Sequence, residues 1–380
     1  MTRISFSSAC LLSLALLSSA CKNDDAQDSG VDSEDTQDTS LPDGPPRLIS
    51  LGASEVVSNE LNNVLHIIPL NDGSIVLAEA DAPPATRGKM LVITPEGELH
   101  TLIEDIPVVS FTHDVTYMGP DGMTLMPDGQ TMLWSLFRGA GDIQPVEDDP
   151  DWDPSAGSLI YEVPLYNASG ELMPTVKPAD LNLWTQSRTD FIYDLAWKEP
   201  NELWATEPGK NSLYVYESDG ERTAVAWPID KIAIEPVGDQ TEVEAVPTGL
   251  ALLKGQPVVA QLGGGIYRED GVTPTGERHG QRVGRVSMLT DQGFEHLAEG
   301  LPSVLDVVSV GDSLILGCHD FYAKTEQLGF IYQLLPDGEV RELHSFSEFP
   351  NSIASTGDYL YVMTKSGSLL RYPLIFETQE

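Results

Sequence analysis

Histidine, aspartate and asparagine recur at one place in a short repeated pattern, and such residues can ligate a cation or pass a proton. The pattern reads VLHII at Val64–Ile68, PDGMT ending at Thr124, IYDLA at Ile192–Ala196, PTGLA at Pro247–Ala251, VLDVV at Val304–Val308 and PNSIA at Pro350–Ala354. In register, it places His66, Gly122, Asp194, Gly249, Asp306 and Ser352 at one position, with Leu65, Asp121, Tyr193, Thr248, Leu305 and Asn351 just before it. If the copies encircle a channel, His66, Asp121, Asp194, Thr248, Asp306 and Asn351 are the residues that could bind a ligand there. Asp194, Asp306 and Asn351 offer the hard oxygens that suit Ca2+ or Mg2+. The alternative is that these side chains cap backbone N–H groups and hold channel waters. A second acidic set, Asp149, Asp151 and Asp153, has carboxylates at every other position, as at the start of a calcium loop. Pro154 stands where such a loop needs glycine, and no glutamate closes it.

Other catalytic signatures are absent. The chain has no G-x-S-x-G elbow, no phosphate-cradling P-loop and no H-E-x-x-H. His113-Asp114 and His319-Asp320 are adjacent pairs, and neighbours on a strand point to opposite faces, so neither makes a dyad. Cys318 sits in the apolar run SLILGC and reads as a core thiol. The tryptophans fall mostly on strand positions and read as core.

The elements that position these residues follow from the repeat. Each copy runs, after a polar or glycine-bearing turn, into an apolar segment such as SIVLAE, TMLWSL, ELWATE, QPVVAQ, SLILGC or YLYVMT. Six copies of a multi-strand unit predict an all-β, six-bladed β-propeller. The blades are expected at His66–Leu102, Asp121–Val176, Phe191–Trp227, Pro247–Leu297, Val304–Leu343 and Pro350–Leu374. The last copy is one strand short. Arg47–Leu51 (RLISL) is expected to supply the missing outer strand and close the ring, which removes an exposed sheet edge. Insertions at Arg138–Ala156, Asp230–Glu244 and Gly263–Gln281 are expected to crowd one face.

The N-terminus predicts an address. Residues 1–20 read as a signal peptide, with Arg3 in the positive region and Ile4–Leu17 as a short apolar stretch. LSSAC resembles a lipobox, so Cys21 is the expected lipidation site, although Leu17 stands one position further upstream than usual. Residues 21–46 then form a polar tether with eight acidic residues and one lysine, a composition that cannot offset its ordering entropy. The propeller occupies residues 47–380. Lys22 after the lipidated cysteine favours the outer membrane, by analogy with enterobacterial sorting. The chain carries a formal charge of −38, which excludes nucleic acid and anionic lipid surfaces as partners. Membrane contact is expected only through the lipid, with an unidentified protein or small-molecule ligand as partner and a monomeric state.

The stretch Val246–Phe321, with PTGLA, PVVAQLG, RVGRV and HLAEGLPSVLDVV, resembles the ScyD/ScyE family of extracytoplasmic propellers, as do GPDGMTLMPDGQTMLWSLFRGAGD and IYDLAW…ELWATEPGKNSLYVYESDG. The resemblance covers most of residues 60–375. It implies a propeller outside the cytoplasm and carries over no catalytic residue. PNSIASTGDYLYV (Pro350–Val362) is similar to a segment of the SMP-30/gluconolactonase propellers, within the wider NHL-like group, and there the asparagine is a metal ligand. That similarity falls on Asn351. The lactonases' E-G-P segment, which brings their metal-binding glutamate, has no match here. Two functions are therefore expected. The first is a non-catalytic binding module, and the second is a Ca2+-dependent lactonase or esterase using the channel through Asp194, Asp306 and Asn351.

Overall fold

The computed structural model describes residues 46–80, 87–110, 117–118, 120–138, 144–145, 157–187, 191–217, 224–265, 281–320 and 328–377. Each sequence repeat builds one antiparallel sheet. The first blade pairs Val64–Pro69, Ile75–Glu79, Arg87–Ile93 and Leu99–Pro107 in chain order. The inner strands of the other five are Pro120–Leu125, Asp194–Lys198, Pro247–Leu253, Ser303–Val310 and Pro350–Ser355. These six strands touch in cyclic order, with the sixth against the first, so the ring is a six-bladed β-propeller.

The second strands are buried along nearly their whole length, as in Ile75–Glu79 and Ser313–Asp320, because a neighbouring blade covers each face. The core is accordingly divided among the seams. Met90, Leu102 and Ile103 of the first blade pack on Met132, Trp134 and Val163 of the second. Val258 and Val286 of the fourth meet Val304, Leu316 and Cys318 of the fifth. Leu77 and Leu91 of the first meet Tyr361 and Met363 of the sixth. Trp134, Trp184 and Trp204 are buried core residues, as expected, whereas Trp227 on an outer strand is 38% exposed. Cys318 is fully buried, and burial pushes its thiol pKa up.

The closing strand is Leu48–Leu51, paired with the end of Leu369–Phe376. A second segment, Glu55–Ser58, extends the same edge by pairing with Leu369–Arg371. Gly52 separates the two pieces and donates its N–H to the Pro373 carbonyl at 2.8 Å. A Cβ there would lie 3.1 Å from the Pro373 side chain. On the inner side, Gln333 of the fifth blade donates to the Leu48 carbonyl at 3.0 Å and to the Ser313 hydroxyl at 3.1 Å.

One expected boundary needs correction. The second blade does not end near Val176; its outer strand is Asn182–Gln186. Residues around Val176 leave the blade, and Val176 bridges in parallel to Ile103 of the first blade. Its backbone bonds to the first blade instead, with its N–H donating to the Leu102 carbonyl at 3.1 Å and its carbonyl accepting from Glu104 N–H at 3.0 Å. The insertion at Asp230–Glu244 contains a hairpin of Ile232–Val237 and Gln240–Val243, whose Ile232 and Val243 pack on Val283. Asp149, Asp151, Asp153 and Cys21 lie outside the described residues.

Candidate functional site

Three of the six inner strands bring a charged or titratable side chain to the centre, and the other three bring a small one. His66, Asp194 and Asp306 stand on the first, third and fifth blades, and Gly122, Gly249 and Ser352 on the second, fourth and sixth. All three larger side chains are buried, at 6–7% exposure. The small residues are required by contact. A Cβ on Gly122 would lie 2.4 Å from the Asp194 Cα, and one on Gly249 would lie 2.6 Å from both the Cα and Oδ1 of Asp306.

The carboxylates are tied to backbone. Asp194 Oδ1 accepts from its neighbour Leu195 N–H at 2.7 Å, and Oδ2 from Leu250 N–H of the next blade at 2.8 Å. Asp306 repeats the arrangement. Its Oδ1 accepts from Val307 N–H at 2.8 Å, and its Oδ2 from Ile353 N–H at 2.8 Å and Ser352 Oγ at 2.9 Å. The residues one step earlier complete the seams in the same sense. Thr248 Oγ1 donates to the Val304 carbonyl at 2.9 Å, and Asn351 Nδ2 to the Val64 carbonyl at 3.1 Å. A side-chain bond thus joins the third blade to the fourth, the fourth to the fifth, the fifth to the sixth and the sixth to the first.

Burial dominates the electrostatics. It raises the pKa of Asp194 well above the usual carboxylate range, with the Asp306 charge adding to the effect. Asp306 is raised to about 6, also chiefly by burial, although its three donors pull the other way. His66 is lowered to about 4 by burial and is neutral at pH 7, partly offset by a hydrogen bond to the Tyr193 backbone. Its Nδ1 lies 3.9 Å from Asp194 Oδ1, and its ring meets Tyr193 edge-on at 5.3 Å. The Tyr193 phenol is driven strongly upward, first by burial and then by Asp306, Asp194 and Asp121.

On the side where the inner strands turn back into hairpins, a cavity of about 320 Å³ opens over this ring. His66, Asp194, Asp306 and Ser352 are part of its lining, and residues 67–69, 195–197, 250–252 and 307–309 continue it. Ile67, Leu195, Val307 and Ile353 are turned into the seams, so the inner strands present mainly backbone edges to the space. Asp121, Thr248 and Asn351 are not in the lining. Asp121 and Thr248 are each 2% exposed, and Asn351 sits on the seam between blades six and one. Of the three residues read as one cation site, two therefore face the cavity and the third serves a seam. Among the described residues, no three His, Cys, Asp or Glu side chains are grouped so as to hold an ion.

Sequence reasoning missed the hydroxyls that complete the ring. Thr206 Oγ1 accepts from Asp194 N–H at 3.1 Å and donates to the Thr248 carbonyl at 2.6 Å. Ser352 shares the ring position by sequence, and the structure adds its role as donor to Asp306. The signal was present in the repeats: prolines begin only the second, fourth and sixth inner strands, and each is followed two residues later by Gly, Gly or Ser.

No protein-family model matches the chain, and no curated protein matches it. Solved structures do. A Bacteroides thetaiotaomicron protein of unknown function aligns over 85% of this chain and 72% of its own, with 10% identity and a TM-score of 0.51. A Trichoderma reesei protein of carbohydrate-active enzyme family AA12 aligns over 90% of this chain and 100% of its own, with 12% identity and a TM-score of 0.50. Virginiamycin B lyase from Staphylococcus aureus covers 85% of this chain and 99% of its own, with 13% identity and a TM-score of 0.47. The likeness is one of fold. At such identities it transfers no chemistry.

Proposed function

We propose that this chain is an extracytoplasmic β-propeller of the ScyD/ScyE-like kind, anchored at the outer membrane through Cys21, that acts as a non-catalytic binding module. The observation that carries the reading is the use made of the ring carboxylates. Each oxygen of Asp194 and Asp306 already accepts a backbone N–H, and Asn351 donates to a carbonyl. A catalytic cation would have to compete with bonds that join the blades. The bonds that Asp194, Asp306, Thr248 and Asn351 make across the seams support a reading in which ligand or protein recognition falls to the surrounding surface.

The test is metal analysis of the full-length purified protein, with a thermal melt in excess chelator and in excess Ca2+. The expected result is no stoichiometric ion and one melting temperature in both conditions. A bound ion with a melt that collapses in chelator sinks the binding-module reading and favours a lactonase or esterase. For that second reading, the supporting observation is that Asp194 and Asp306 share one cavity. A lactone-hydrolysis assay with Asp306→Asn then decides it. The anchor is tested separately, by labelled fatty-acid incorporation into the wild-type chain and its absence from Cys21→Ala.

A further inference from the structure

A second cavity, away from the channel, lies between the fourth and fifth blades on the hairpin side and measures about 450 Å³. Its floor is hydrocarbon. Leu314, Leu334 and Leu335 line it at 1–4% exposure, together with the half-buried Met288 and Leu297. Its rim is polar and mainly acidic, with Glu295, Asp312 and Asp337 set against a single ammonium, Lys254. Glu295 and Lys254 are exposed, and neither makes an ion pair among the described residues.

The imidazole on the wall does not offset this acidity. His296 Nε2 faces the Arg285 guanidinium at 3.3 Å, and Nδ1 lies 2.9 Å from Ser287 Oγ. A guanidinium can only donate, so Nε2 accepts and the proton sits on Nδ1. The ring is neutral in this arrangement. Burial and the adjacent guanidinium both lower its pKa, in that order.

The cavity therefore combines a hydrocarbon floor, a volume within the range of small-molecule sites and three carboxylates against one ammonium at the mouth. The chain's charge of −38 concentrates cations around it and repels anions. We propose that this cavity is a binding site for a small amphipathic cation, an ammonium carried on an aliphatic or aromatic body. The body rests on Leu314, Leu334 and Met288, and the head stays at the acidic rim beside water, where it keeps part of its hydration. This site is independent of the channel and goes beyond the binding-module reading.

The experiment titrates the full-length protein with n-hexylammonium, n-hexanol and n-hexanoate, read by calorimetry and by methyl NMR shifts of Met288 and Leu314. The expected result is saturable binding of hexylammonium, binding of hexanol about tenfold weaker, and no binding of hexanoate. Glu295→Gln combined with Asp312→Asn changes one exposed and one half-buried group, keeps an acceptor for Ser313 Oγ, and is expected to bring hexylammonium down to the level of hexanol. Leu297→Trp fills the cavity and abolishes both. Far-UV circular dichroism and a melt confirm that each variant is folded; if Leu297→Trp fails to fold, the rim variant decides alone. The proposal is overturned if the wild type shows no saturable binding, if hexanol and hexylammonium bind equally, or if the rim variant leaves the difference intact. Each of these outcomes leaves the channel reading untouched, because that rests on metal content and the chelator melt.

Discussion

The odd-numbered and even-numbered inner strands do different work at the same position. The first, third and fifth carry His66, Asp194 and Asp306, whose side chains line the central cavity. The second, fourth and sixth begin with proline and carry Gly122, Gly249 and Ser352, which yield that space. Asp194 and Asp306 reach forward to backbone N–H groups on even blades, while Thr248 and Asn351 reach forward to carbonyls on odd blades. Donor and acceptor roles thus alternate over the four seams that run from the third blade round to the first. Blades three and four and blades five and six are thus two copies of a two-blade unit, and the first pair keeps the small residue Gly122 but has His66 where the others have aspartate. Aspartate at all six positions would collide at Gly122 and Gly249, and glycine at all six would leave the Leu195, Leu250, Val307 and Ile353 N–H groups without their carboxylates.

The largest break in this alternation is to give an even strand a side chain it has no room for. Gly249→Val places a Cβ 2.6 Å from the Asp306 Cα, a backbone atom that cannot swing away. The expected loss is about 3 kcal/mol or more, or failure to fold, read by urea denaturation. Ser352→Ala keeps a tolerated Cβ and loses only the hydroxyl bond to Asp306, for about 1–2 kcal/mol. Equal effects at the two positions would dissolve the distinction drawn between them within the even set.

Removing an odd-strand acceptor comes next. Asp194→Ala leaves the Leu195 and Leu250 N–H groups buried without their carboxylate, an expected cost of about 3 kcal/mol. Thr248→Val and Asn351→Ala each remove one donor to a carbonyl and are expected to cost about 1 kcal/mol.

The odd strands also differ among themselves in their response to pH. His66 is neutral in the fold with its pKa lowered to about 4, so its contribution is intact above 6.5 and is lost as pH falls toward 4. Asp306 is raised from 3.8 to about 6 and has the opposite sign: the fold holds its proton more tightly than the unfolded chain, so stability falls as pH rises across that window. His66→Gln is therefore expected to flatten the loss on acidification, and Asp306→Asn to deepen it. Each change amounts to at most about 1.4 kcal/mol per pH unit, read from urea midpoints between pH 4 and 6.5. The smallest effect belongs to the periphery. Arg341→Gln, which breaks the exposed pair with Glu339 at the start of an outer strand, is expected to leave the urea midpoint unchanged.

The fold was legible because periodicity and turn residues are local. The six inner segments, the apolar second strands and the glycine turns at Gly97 and Gly338, with φ of 84° and 86°, are visible in the chain itself. Closure by Leu48–Leu51 was legible by counting, since the sixth repeat lacked a strand. The outer strand at Asn182–Gln186 was less so, because outer strands alternate weakly and lie beside connecting segments of similar composition. Within the ring, the sequence identified which residues meet but not what they hold. Asp194 and Asp306 are as suited to a cation as to an N–H by residue type. Only the neighbouring blade shows that Leu250 and Ile353 N–H groups lie within 2.8 Å of those oxygens.

By itself, then, the sequence determined the number of blades, the closing strand and the residues at the centre, because strand periodicity and repeat register are written along the chain. The tertiary structure decided the odd–even division of roles, the diversion of Asn351 to a seam and the acidic cavity between blades four and five. Each of these depends on side chains from repeats tens to hundreds of residues apart, whose distances exist only once the ring has closed.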